Sequence, residues 1–442
     1  MSANLNIVSD IKNFINQVAS DKELLKCFSC SPSAFTRKRE LDFERVVLML
    51  LNFFKRSYSV EIADFYHIVG QQELSVSKSA FCQQRQKIDC LFFYCLHLML
   101  VNSFYTHYQQ KIKRWQGLRL IAVDGSTSYL LNKEEIVNYF GTHGNQRGKV
   151  PMARVLTAYD VLNEITINAG IYPIADSEQK LALSWLNSYE EDMLLIYDRG
   201  YPGFASIFHH QEQERPQPFL MRCALGFNAV VKDFVASPAR ELVTTFQVDK
   251  PTRRELFSQG FILPKGSTVQ VRLIKIKLDN GLIEVLATNL FDTEKYPYQM
   301  FKKLYSLRWE IETRYNCLKN KLQMELYSGH KVGNLKQDFY ISIFLANLQA
   351  ILSKPPQEYL EKAFDKRKYK YSINENVTIG ILKNRIITLF LHQQPDEILR
   401  QLEDLIIKHS EPVRPNRNVP RIKHFKRRAG KYQALSNYKR AF

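Results

Sequence analysis

Between residues 118 and 200 the chain exchanges helical periodicity for short apolar runs, and this change constrains the fold more than any other feature. LRLIAVDGSTSYL reads as a buried strand that closes on Asp124-Gly125 and small hydroxyl residues. ARVLTAYDVLN and ITINAGIYPI read as two further strands, paired through a turn at Asn163. SEQKLALSWLNSY is a helix with Ser177 as its N-cap, because a serine hydroxyl can accept from an otherwise orphaned helical N–H. DMLLIYDRGYPGFASIFHH is again a buried strand, ending at Asp198-Arg199-Gly200 and running into a helix. Strands and helices in this order predict an α/β fold.

The flanks differ. Residues 1–115 are Gly-poor and helical in period, and are expected to form a helical N-terminal DNA-binding region. Within them a helix breaks at Gly70 and a second opens at Ser75 or Ser77, carrying Lys78, Gln83, Gln84, Arg85 and Lys87. That is the layout of a helix-turn-helix with a basic second helix, although a plain helical bundle accounts for it equally well. Residues 116–214 form the first part of an α/β core, and 215–300 a β-rich insertion in which FLMRCAL, ELVTTFQV, TVQVRLIKIKL and IEVLATNL are separated by turn residues. Residues 301–408 return to helix and complete the core with trailing helices. The stretch 409–442 reads as a flexible basic tail, with ten Lys or Arg and no Asp or Glu after Glu411.

Charge points to the partner. A net charge of +18 favours a polyanion, most simply nucleic acid, because basic side chains release the counterions condensed on phosphates. The longest apolar runs, at 46–54 and 91–101, are too short to span a bilayer, and the N-terminus lacks the layout of a secretory signal. A cytoplasmic protein with no membrane partner is expected. Seven cysteines form no paired framework, and Cys27-Phe-Ser-Cys30 has no second pair to complete a zinc site.

Two carboxylates, Asp124 and Asp198, close buried strands, where a charge needs a counter-charge or a metal ion. A third comes from YSLRWEIETRYNCLKNKLQ at 305–323. Wound as one helix at about 100° per residue, Leu304, Leu307, Ile311, Tyr315, Leu318 and Leu322 fill an arc of roughly 80° that reads as core. Tyr305, Arg308, Glu312 and Lys319 fall in a second arc of roughly 60° beside it, while Glu310, Arg314 and Lys321 fall on the remaining part of the circle. The second arc reads either as an ordinary surface with an Arg308–Glu312 ion pair or as a face built for chemistry. Three hard oxygen donors suit Mg²⁺ or Mn²⁺, and two such ions support phosphoryl transfer.

These residues carry a resemblance. The spacing Tyr, two residues, Arg, three residues, Glu, six residues, Lys is met by Tyr305, Arg308, Glu312 and Lys319. With LIAVDGS, ARVLTAYDVLN, DSEQKLA and LLIYDRGYPG in the same order, residues 118–330 resemble bacterial insertion-sequence transposases of the DDE class, in the group with the Tyr-Arg-Glu-Lys signature. The resemblance implies an RNase H-like core with Asp124 on the first strand, Asp198 after the fourth and Glu312 on a helix. It implies that the three acids are catalytic and hold two Mg²⁺ or Mn²⁺ ions. It assigns Tyr305, Arg308 and Lys319 to transposon-end DNA, with a homodimer holding two ends before the 3′-hydroxyls join to target DNA.

Relatives that form DNA hairpins often stack a flipped base on a Trp of the inserted module. Here Trp115, Trp185 and Trp309 all lie outside it, leaving Phe291, Tyr296 or Tyr298 for that place. His143 and Arg147 in GTHGNQRGK read as DNA contacts or as part of a surface loop, and the loop is the expectation. Two other readings share the acids: an RNase H-like nuclease without joining activity, and a non-catalytic DNA-binding protein derived from a transposase.

Overall fold

The computed structural model describes residues 2–414 apart from 38, 53, 74–75, 146–147, 213 and 384. Most of the expected basic tail, and Arg147, lie outside the described residues. The chain divides into two compact units, one of Met1–His107, Leu318–Ser328 and Phe344–Phe442, the other of Tyr108–Cys317 and Gly329–Ile343.

The second unit is built on one mixed sheet. Its strands are β1 (Arg119–Tyr129), β2 (Thr142–Asn145), β3 (Gly148–Asp160), β4 (Ile165–Pro173), β5 (Met193–Tyr197), β6 (Phe219–Cys223), β7 (Glu241–Gln247), β8 (Thr268–Lys277) and β9 (Ile283–Thr288). The spatial order is β2-β3-β1-β5-β6-β9-β8-β7, with β4 also on β3. Strands β4, β3 and β1 run antiparallel as a meander, and β5 and then β6 lie parallel to β1. The order β4-β3-β1-β5-β6, three antiparallel strands followed by two parallel ones, is the RNase H-like arrangement expected from the sequence. Residues 120–123 and 193–197 are buried throughout, which explains their unbroken apolar character.

Strands β6 to β9 include the β-rich stretch read from the sequence. They do not form a sheet of their own: β9 pairs antiparallel with β6, and β8 and β7 extend the sheet outward. Apolar runs specify that strands form but not which edge they join, so this continuity could not be read from period alone.

Two local expectations are corrected here. Strand β1 does not end at Asp124. It continues to Tyr129, because β3 keeps pairing with it as far as Tyr129–Met152, while β5 stops at Tyr197, opposite Val123. Asp124 therefore marks the point where β1 loses its parallel neighbour. THGN at 142–145 is not a loop but strand β2, paired antiparallel with β3, in which exposed His143 pairs with Val150.

The first unit is helical. Helix Ala3–Ser20 buries Ile7, Val8, Ile11, Ile15 and Val18 at helical spacing, and its Phe14 stacks on Phe92 of helix Cys90–His107 with ring centroids 5.8 Å apart. Helix Tyr58–Ile68 ends before Gly70, whose φ of +70° is the left-handed conformation that glycine adopts without strain. Helix Lys78–Arg85 follows, capped by the Ser77 hydroxyl, which accepts from the N–H of Ala80 at 3.1 Å. Its polar residues do not all face solvent. Lys78 and Gln83 are exposed, whereas Gln84 is buried and Arg85 is fully buried, donating to Ser328 Oγ at 2.6 Å. Side chains on successive residues of a helix point about 100° apart, so the polar residues of this helix are divided between a solvent face and a buried one.

Candidate active site

The stretch 301–321 is not one regular helix. It runs as α-helix Phe301–Ser306, 3₁₀ turn Leu307–Trp309, α-helix Glu310–Asn316 and π turn Cys317–Lys321. A 3₁₀ turn overwinds the backbone and a π turn underwinds it, so a wheel of constant pitch misplaces side chains beyond each junction. Arg314 is the clearest case. Expected on the scattered outer surface, it is buried and donates through Nε to Thr166 Oγ1 at 3.0 Å. The apolar stripe is otherwise buried, with Leu307 half-buried.

Asp124 and Asp198 are neighbours because of the β1–β5 register. Val123 is level with Tyr197 in parallel pairing, so the next residue on each strand is an acid. Burial dominates the electrostatics of Asp124. It pushes the carboxyl up to about 7, against the opposing pull of Arg308 and of the Gly125 N–H, with Glu178 and Asp198 adding like-charge repulsion. One oxygen of Asp198, Oδ1, is buried without a hydrogen-bond partner.

Arg308 joins these acids to the signature segment. Its guanidinium is 4% exposed, with Nη1 3.8 Å from Asp124 Oδ2 and Nη2 3.1 Å from Glu312 Oε1. Asp198 also acts on it electrostatically. The ion pair Arg308–Glu312 thus exists, but its cation is buried beside Asp124 rather than on an open surface. Glu312 remains exposed at 43% of its side-chain area. Among the described residues no group of three His, Cys, Asp or Glu side chains is arranged to hold a metal ion.

The other signature residues lie as follows. Tyr305 is buried, its hydroxyl donating at 3.4 Å to the carbonyl of Tyr197, the residue before Asp198. Burial raises this phenol well above its ordinary value, so it stays protonated. Lys319, in the π turn, has its Nζ 3.8 Å from Glu325 Oε1 and is half-buried. Of the aromatic candidates, Tyr296 is buried and stacked on Trp115 at 5.5 Å, Tyr298 donates to the carbonyl of Lys275 at 2.7 Å, and Phe291 is exposed.

Several contributors escape a reading of the sequence. Tyr315, read there only as core, donates to the backbone carbonyl of Asp124 at 2.7 Å and receives a bond from Thr157 Oγ1 at 2.9 Å. Thr157 is the residue opposite Asp124 on β3. Glu178, at the start of helix Glu178–Ser184, takes a hydrogen bond from Tyr201 Oη at 2.6 Å and one from Arg154 Nη1 at 3.0 Å. Only DSEQKLA as a segment pointed toward Glu178; no spacing rule marks it.

The donor chemistry suits a hard divalent cation. The acids offer carboxylate oxygens, one of them buried and unsatisfied, and a carboxyl held near neutrality by burial gains most from a nearby positive charge.

The sequence model of a family described as "Transposase DDE domain" matches residues 115–348. The chain is 22% identical over 456 residues to "Transposase InsG for insertion sequence element IS4" of Escherichia coli (strain K12), covering 97% of this chain and 96% of that protein. It is also similar to a structure described as "Cryo-EM structure of piggyBac transposase synaptic complex with hairpin DNA", at a TM-score of 0.42 and 10% identity, covering 93% of this chain and 85% of that one.

Proposed function

The chain belongs to the transposase DDE domain family, whose match takes in more than half of its length, and from that premise we propose that Asp124, Asp198 and Glu312 carry its reaction. It is a DNA transposase, a metal-dependent enzyme that cuts and joins DNA. The observation that carries the assignment is Arg308. One buried guanidinium lies against Asp124 and Glu312 and within the field of Asp198, so acids drawn from two strands and a helix meet around a single positive charge.

In this reading the three carboxylates hold two Mg²⁺ or Mn²⁺ ions. Such ions lower the pKa of an attacking water or 3′-hydroxyl and offset charge on the leaving oxygen. Asp124 supplies a donor from β1, Asp198 one from the turn that leaves β5, and Glu312 the third from the signature segment. Rigid placement matters because phosphoryl transfer depends on in-line positioning more than on covalent help. Arg308 keeps the clustered acids from repelling one another and presents a planar fork that suits a phosphate. Lys319 adds a point charge for DNA. Tyr305 acts from behind, fixing the backbone at Tyr197 and hence the direction of Asp198.

The substrates are the double-stranded ends of the element and then the target duplex. Two ends must meet, so two copies of the chain act together in a synaptic complex. The test is strand transfer, with Mg²⁺ or Mn²⁺, on a duplex carrying the inverted repeats that flank the gene. Wild type should nick and join. Asp124→Ala, Asp198→Ala and Glu312→Ala should each lower both steps by at least about 10³-fold while leaving DNA binding in place. Nicking without joining by the wild type would point to the nuclease reading, and full activity in any of the three variants would remove that acid from the mechanism.

A further inference from the structure

A fourth carboxylate stands at this site, outside the acidic triad and the signature. Glu178 begins the helix that follows β4, and its carboxylate has three contacts that converge on the acid-bearing backbone. Arg154 of β3 donates to Oε2 at 3.0 Å as an ion pair. Tyr201 donates to Oε1 at 2.6 Å, and the N–H of Tyr201 donates in turn to the carbonyl of Asp198 at 3.2 Å. The third contact is steric. A Cβ placed on Gly125 would lie 2.1 Å from the carboxyl carbon of Glu178 and 2.3 Å from Oε2. The glycine after Asp124 therefore leaves room for this carboxylate. Gln179 adds a hydrogen bond from its side chain to the carbonyl of Gly200.

Side chains alternate along a strand, so Gly125 presents the face of β1 opposite to Asp124. Glu178 thus backs the strand from behind the proposed metal-binding carboxylate. It also reaches, through Tyr201, the turn that bears Asp198. Past Tyr197, β5 no longer pairs with β1, so nothing in the sheet ladder fixes Asp124 relative to Asp198. The Arg154–Glu178–Tyr201 chain supplies that missing link.

We infer that Glu178 is a positioning residue for the transposition reaction, bracing β1 at Asp124 and the Asp198–Tyr201 turn at the separation that divalent cations require. This rests on the reading of Asp124 and Asp198 as metal-binding acids. Groups behind a metal's ligands typically change its affinity 10–100-fold when altered.

The test is Mn²⁺ binding to the full-length protein by calorimetry, beside its melting temperature without metal. Glu178→Gln keeps the volume but loses the charge that holds Arg154, and should weaken Mn²⁺ binding about 10-fold. Tyr201→Phe should weaken it in the same direction by a smaller factor. Both should melt within a few degrees of wild type. A double-mutant cycle separates bracing from general packing. Gly125→Ala should weaken Mn²⁺ binding strongly in the wild-type background and much less in Glu178→Ala, because the added methyl group then has space. Asp124→Ala is the control for the underlying reading. If it binds Mn²⁺ like wild type, the assignment of the acids is wrong. If it loses binding while Glu178→Gln and Tyr201→Phe stay within twofold of wild type, only the brace is wrong. Additive costs in the cycle, or weakened binding that follows a fallen melting temperature, would also overturn the brace.

Discussion

At the residue scale, Asp124 shows what a buried carboxylate costs the fold. Its ordinary value is 3.8 and burial lifts it to about 7, so the folded state binds this proton more tightly than the unfolded chain. Between those two values stability falls as pH rises, and above about 7 the full penalty remains. Asp124→Asn removes the penalty. In the presence of a chelator it should therefore stabilise the protein by about 1–3 kcal/mol at pH 8, with the gain vanishing near pH 4. Chemical denaturation at the two pH values checks this; an equal gain at both would show that burial of the charge is not its source. The same residue was legible in the sequence, because an acid that closes an apolar run stands out. Glu178, Tyr201 and Tyr315 were not. Glu178 and Tyr201 sit in polar or mixed segments, and Tyr315 fell on a stripe that its burial fully justifies. Their roles depend on hydrogen-bond partners 23 to 191 positions away, which no local pattern encodes.

At the element scale, pattern gave β1, β3, β4 and β5 in order, and the helix between β4 and β5 with its Ser177 cap. It also gave Ser77 as one of two starts for helix Lys78–Arg85, but it missed helices Glu134–Phe140, Ala229–Ala236 and Lys250–Ser258. It failed where pitch or pairing changes. The signature segment mixes α, 3₁₀ and π turns, so one wheel placed Arg314 outside when it is buried. A comparable case in the first unit is Lys383, which follows helix Glu375–Leu382 directly. It is buried with Nζ 3.0 Å from both oxygens of Glu61 and 3.1 Å from the carbonyl of Asn52, and Glu61 is itself 2% exposed. Burial pulls the lysine below its ordinary value, while Glu61 pulls it back up. Such a pair adds little net stability over an apolar one, but removing one partner strands the other. Lys383→Met should therefore destabilise the protein by about 3 kcal/mol, and the double variant with Glu61→Gln should recover part of the loss. Urea melts of the two variants decide it, and equal melts for wild type and Lys383→Met would show that Arg56 alone satisfies Glu61.

At the scale of the whole molecule, charge was the most readable property, and it bears on partner choice rather than on fold. Nine of the Lys and Arg that make up the net charge of +18 lie in 415–442, a stretch with no acid. The acids, the sheet and the signature segment all precede it. On the proposed reading the site cuts, and a basic stretch of this composition would add affinity that does not depend on sequence. Each phosphate neutralised steepens the fall of log K with log salt by about 0.9. A chain ending at residue 414 should bind unrelated duplex DNA more weakly and with a flatter salt dependence, by several such steps if most of the nine charges engage phosphates. Its cleavage of a duplex bearing the element's own ends should persist at low salt, because the triad is untouched. Filter binding across a salt series, beside cleavage at one low salt concentration, measures both. An unchanged slope would mean that the +18 acts on DNA through the two described units instead, and the basic residues to alter next would be Lys319 and the exposed Lys78.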